Sequence, residues 1–130
     1  MFSFIKKKED PDRRALREEF ETVTKALRQA EEAVQITVGH AINMAHSLFH
    51  QSYGTPFEFQ MLHKAKQIEY ITKLTKMEVS LRNDHGDPHA SLGFALFKMW
   101  VGAVSEKDAE LMNQISTELA YFSRKGDLGA

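Results

Sequence analysis

With 130 residues, 42% of them hydrophobic and 27% charged, the chain is long enough for one domain with its own core and too mixed for wholesale disorder or a membrane-embedded fold. It has no cysteine, which excludes disulfides, thiolate catalysis, iron–sulfur clusters and cysteine-ligated zinc. The formal net charge of −1 creates no field toward nucleic acid or an anionic membrane, so no specific nucleic-acid partner is expected. The lack of cysteine is compatible with a reducing compartment, and the expected setting is cytoplasmic.

Residues 1–10 read as a flexible segment in which Phe2, Phe4 and Ile5 precede Lys6, Lys7 and Lys8. Apolar residues before the charges, with no longer apolar run behind them, do not make a secretion signal. Three lysines beside aromatic rings give at most weak peripheral membrane contact, at about 1 kcal/mol each near an anionic surface. The plainer alternative is that the phenylalanines tuck onto the rest of the protein.

A single domain is expected over residues 11–126, all-α, as a bundle of about four helices. Asp10, Pro11 and Asp12 signal a helix start. From there Leu16, Val23, Ala30, Thr37 and Met44 recur every seven residues, as do Phe20, Leu27, Val34, Ala41 and Leu48. The pattern predicts one very long first helix, Pro11 to about Ser52, roughly 60 Å at 1.5 Å per residue. Its first half carries a single apolar seam, whereas Ile36, Val38, Ile42, Ala45 and Phe49 widen the apolar surface of the second. Gly39 suits either a close helix crossing or a kink.

A helical hairpin is expected at Gly54, where Thr55-Pro56-Phe57-Glu58 spells a capping box with proline at the first helical position. The second helix would run from Pro56 to Asn83 with Met61, Ala65, Ile68, Ile71, Leu74 and Leu81 inward. Asp87 and Pro88 open a third helix to Val104 that is apolar nearly all round and therefore belongs in the centre, although Phe97 and Trp100 could instead anchor a partner. A fourth follows Ser105-Glu-Lys-Asp108 and stops at Gly126, leaving 127–130 loose. So long a first helix leaves a seam that the other helices do not cover. A homodimer paired through Leu16, Phe20, Val23 and Leu27 is the consequence.

Six histidines are the unusual chemical feature. His46 and His50 are four apart, hence on one helical face, and folding the hairpin about Gly54 sets His63 beside His46 and Glu58 beside His50. These four could hold zinc or another divalent metal, but no HExxH or Glu-x-x-His motif accompanies them, and solvated histidines are the simpler reading. Lys64, Lys66, Lys73, Lys76 and Arg82 do not share a face and read as a solvated surface. With no Gly-rich phosphate loop, nucleophile elbow or paired catalytic carboxylates, no catalytic residues are assigned. The expectation is a non-enzymatic helical protein–protein interaction or regulatory module without a cofactor; the alternative is a small-ligand- or metal-binding bundle using His46, His50 and His63 or a pocket near Trp100.

Overall fold

The computed structural model describes residues 9–128. It contains six helices, α1 Pro11–Arg28, α2 Glu32–Tyr53, α3 Pro56–Gln60, α4 Lys64–Asn83, α5 Pro88–Ser105 and α6 Ala109–Leu128, and no strand among the described residues. The all-helical expectation holds; the count of four and the very long first helix do not.

Helix α1 starts as its sequence says, with Pro11 in the first turn and the Asp10 carboxylate accepting from the Asp12 N–H at 2.7 Å. It ends at Arg28 although Gln29, Ala30 and Glu31 are good helix formers. The break is tertiary in origin. Gln35, 4% exposed, sends its Nε2 back to donate to the carbonyls of Leu27 (2.8 Å) and Arg28 (3.0 Å) at the end of α1, where carbonyls lack their i+4 helical partners. The helix predicted over Pro56–Asn83 is divided in the same way. Gln67, also 4% exposed, donates to the carbonyls of Leu62 (2.9 Å) and Gln60 (3.3 Å) and accepts from Ser105 Oγ at 2.6 Å. Each glutamine is the fourth residue of the helix that follows the break.

The Gly54 turn forms as expected. Gly54 has φ +80°, and Thr55 and Glu58 complete the capping box through Thr55 N–H to Glu58 Oε2 (2.7 Å) and Glu58 N–H to Thr55 Oγ1 (3.2 Å). Asp87 caps α5 through the Ala90 N–H at 3.0 Å, and Asp108 caps α6 through the Leu111 N–H at 3.1 Å.

Contacts give the helix directions. Lys64 meets Ser105 and Ser91 meets Glu78, so α4 and α5 are antiparallel. Gly93 lies against Val38 and Ala41 while the Trp100 and Phe49 rings are 5.5 Å apart, so α2 and α5 run together. Gly39 abuts Gly126 and His46 shares a cleft with Ser116, so α2 and α6 are antiparallel. Arg13 reaches Asp108 and Arg28 reaches Glu118, so α1 descends beside the first half of α6 in the same sense.

Helix α5 is the centre, packing on α2, α3, α4 and α6. Phe97 and Trp100, offered above as partner anchors, are 1% and 8% exposed and belong to this core. So do Phe20 and Leu27, with Leu16 and Val23 half-buried against it. The seam from which dimer pairing was expected is thus covered within the chain, because the break at Gln29 lays α1 along α6. In α2 the buried stripe is Gln35, Val38, Ile42, Ala45 and Phe49, while the heptad residues Met44 and Leu48 face outward. A straight helix turns every 3.6 residues and drifts about 20° per heptad, so a strict seven-residue row leaves the buried face.

The restart at Lys64 likewise rephases α4: Gln67, Tyr70 and Leu74 are buried, whereas Met61 and Ile68, expected inward, are 71% and 54% exposed. Helix α6 passes through Gly126, where a terminator was expected, to Leu128, and Asp127, expected loose, accepts from Asn43 Nδ2 at 3.1 Å. A Cβ on Gly39 would stand 2.1 Å from the Phe122 carbonyl oxygen, and one on Gly126 would stand 2.6 Å from the Gly39 carbonyl carbon. Gly39 therefore serves a close crossing. Of the segment expected to be flexible, Glu9 and Asp10 are engaged by Arg17 and by the α1 cap; residues 1–8, which include Phe2, Phe4, Lys6, Lys7 and Lys8, lie outside the described residues.

Candidate binding surfaces

The four residues considered for a metal are scattered. His50 places Nδ1 3.2 Å from the Gly54 carbonyl, the Glu58 carboxylate is taken by the Thr55 N–H, His63 is an exposed residue preceding α4, and the exposed His46 sets its ring edge-on to Phe97. The predicted register required the chain to run straight back from Gly54, and α3 fills that corner instead. Among the described residues no group of three His, Asp or Glu has the spacing to hold a metal ion.

A cleft does open beside Trp100. Gly39 and Gly126 bring α2 and α6 into backbone contact, and toward the C-terminal end of α2 the two helices diverge around the rings of Phe97 and Trp100. The cleft holds about 250 Å³. Most of its polar wall is already committed: Trp100 Nε1 donates to Ser116 Oγ at 3.0 Å, Ser123 Oγ donates to Asn43 Oδ1, and Asn43 Nδ2 donates to the Ser123 carbonyl at 3.2 Å.

A second groove lies between α2 and α4, which both rest on α5 and touch each other mainly near the Gly54 turn. There the rings of Phe49, Tyr53, Phe59 and Tyr70 knit them together, with Tyr53 and Tyr70 4.8 Å apart. The Tyr70 hydroxyl is buried among these rings without a hydrogen-bond partner among the described residues, and burial pushes its pKa up to about 12. Farther from the turn the helices leave a groove of about 360 Å³, with Met44 on the α2 side, Met77 and Leu81 on the α4 side and the buried Phe94 as floor. Met44 is 58% exposed, and Leu48, one turn along, is also exposed. Lys73, Lys76 and His85 edge the α4 side.

The charged groups with displaced pKa values lie elsewhere, chiefly along α1. Hydrogen bonds from Arg17 and then Arg13 hold Glu9 at about 2, and Arg13 holds Asp108 below its ordinary value. Arg28 forms a two-pronged pair with Glu118, both bonds 2.9 Å, and stacks over the Tyr121 ring at 3.9 Å. These groups clamp a helix. No sequence signal picked out the α2–α4 groove, because Met44 and Leu48 fit the heptad rows and were assigned to a seam.

Among the described residues no helix is long and apolar enough to cross a membrane. Comparison with protein-family models, with curated proteins and with solved structures finds no match.

Proposed function

We propose that the protein is a non-enzymatic helical binding module whose binding face is the groove between α2 and α4, and that the partner is an amphipathic helix with an apolar stripe flanked by Asp and Glu. The observation that carries this reading is the pairing of exposed Met44 and Leu48 with a basic opposite edge at Lys73 and Lys76. Neither lysine pairs with a carboxylate among the described residues, although Lys64, Lys66 and Lys98 do. Apolar surface left in water forgoes about 25 cal/mol per Å² of burial, and methionine walls adapt their shape to an incoming side chain. A helix laid in such a groove binds through apolar residues at i, i+3 or i+4 and i+7 and gains its orientation from charge.

The test uses a synthetic 18-residue amphipathic peptide with a leucine stripe and Glu flanks, beside a twin with Lys flanks, read by fluorescence polarisation. The Glu-flanked peptide is expected to bind the more tightly, to weaken at least tenfold on Met44→Glu, and to lose its advantage on Lys73→Glu with Lys76→Glu. Equal binding of both peptides, or indifference to Met44→Glu, would refute the reading.

A second reading places a small, largely aromatic ligand in the cleft beside Trp100, where His46 is the polar wall residue without a hydrogen bond among the described residues. Quenching of the single tryptophan by such a ligand, abolished by Ala120→Phe in the cleft wall, distinguishes it from the groove.

A further inference from the structure

The turn between α1 and α2 is a bend with no residue that demands one. Gln29 is still helical in conformation (φ −98°, ψ −2°), Glu31 has a helical φ of −60° with an extended ψ of 151°, and no residue of the turn has positive φ. Glycine and proline are both absent from Arg28–Ala33, and Glu31 makes no side-chain cap for α2. Rotating ψ of Glu31 into the helical range removes the one extended residue that these angles reveal. In the straightened helix Phe20, Thr24, Leu27, Gln35, Val38 and Ile42 follow one another at helical spacing on a single face.

What keeps the bend closed is tertiary: the Gln35 amide on the Leu27 and Arg28 carbonyls, the burial of Phe20, Thr24 and Leu27, and side-chain pairs from α1 to α6 at Arg13–Asp108 and Arg28–Glu118. Among the described residues α1 makes the thinnest connection to the fold of any long helix. Every one of the α1–α6 contacts can be made equally well with the α6 of another copy, and the backbone groups left unpaired at the bend gain helical partners when it straightens.

We propose that α1 is an exchangeable arm: the bend at Glu31 straightens, α1 and α2 join into one helix, and α1 docks on α6 of a second copy of this chain while receiving that copy's α1 in return. The interface is isologous and reuses native contacts, which makes exchange an inexpensive route to a dimer. It goes beyond the groove reading and does not depend on it.

The experiment measures mass by light scattering after refolding the full chain at low and at high protein concentration. The wild type is expected to yield a dimer fraction that rises with refolding concentration. Glu31→Pro is compatible with the bent φ of −60° but incompatible with a helix interior, so it should cut that fraction at least tenfold. Gln35→Met, which removes the side-chain cap on α1, should raise it. Chains carrying Arg28→Glu and chains carrying Glu118→Arg each place like charges together when closed. Refolded as a mixture they should give more dimer than either alone, because in a mixed exchanged pair every new charge meets its opposite on the other chain. A monomer at all concentrations for both wild type and Gln35→Met, a dimer that Glu31→Pro leaves intact, or no gain on mixing the two charge variants would each overturn the proposal.

Discussion

Of the helices that lie against α6, α2 and α1 hold to it by opposite means. Helix α2 crosses it with Gly39 and Gly126 in backbone contact and its apolar stripe running into the common core. Helix α1 lies along it behind Phe20, Thr24 and Leu27, with a charged pair near each end. The first contact leaves no room to adjust, since close-packed interiors transmit strain. The second rests on one short buried row, Phe20, Thr24 and Leu27, supplemented by ion pairs that water and salt can replace, and exposed ion pairs typically contribute about 0–1 kcal/mol each. One chain thus contains a fixed joint and a releasable one on the same helix.

The largest expected effect breaks the fixed joint. Gly39→Leu must push α6 away bodily, because the obstructing atoms are backbone, and a cooperative thermal transition should be lost. A variant that melts near the wild-type temperature would show that the crossing can slide. A smaller effect belongs to the releasable joint: Phe20→Ala removes a side chain that is 1% exposed, which in a core costs about 3 kcal/mol. Here the loss is limited to the free energy that docks α1. Hydrogen exchange should then show unprotected α1 amides while α5 and α6 stay protected; uniform loss of protection would erase the distinction between the joints.

The smallest effect is electrostatic. Glu9 and Asp108 both have folded pKa values below their ordinary ones, so the stability they add is present above about pH 4.5 and is lost as the pH falls toward 2. Both meet Arg13 at the start of α1. Acidification through that window should loosen the N-terminal turns of α1 ahead of the α2–α6 crossing, followed by exchange at α1 amides. Simultaneous loosening of both would contradict the assignment.

Much of this was legible in the residues themselves. The caps at Asp10, Thr55, Asp87 and Asp108 act through short local hydrogen bonds, and local chemistry can be read locally. The central place of α5 followed from a helix with no polar face. The two breaks were not legible, since each depends on a glutamine reaching back around a bend that exists only once the chain is folded. Gln35 and Gln67 did carry a faint mark, being amides at positions that continue a buried stripe. The histidine cluster failed for a related reason: a mirror register about Gly54 presumes a straight return, and the five residues of α3 displace everything after them. The α2–α4 groove was hidden because a helix drifts off a seven-residue repeat, which turned outward-facing Met44 and Leu48 into apparent seam residues.

The crossing of Gly39 and Gly126 has a genetic consequence. At most packed positions an enlarged side chain can be offset by trimming its neighbour, so a damaging substitution has a suppressor somewhere opposite. Here each residue faces main-chain atoms of the other, and both are already as small as an amino acid can be. Neither position has a second-site remedy in its partner. A selection for revertants of Gly39→Ala or Gly126→Ala should return the original glycine.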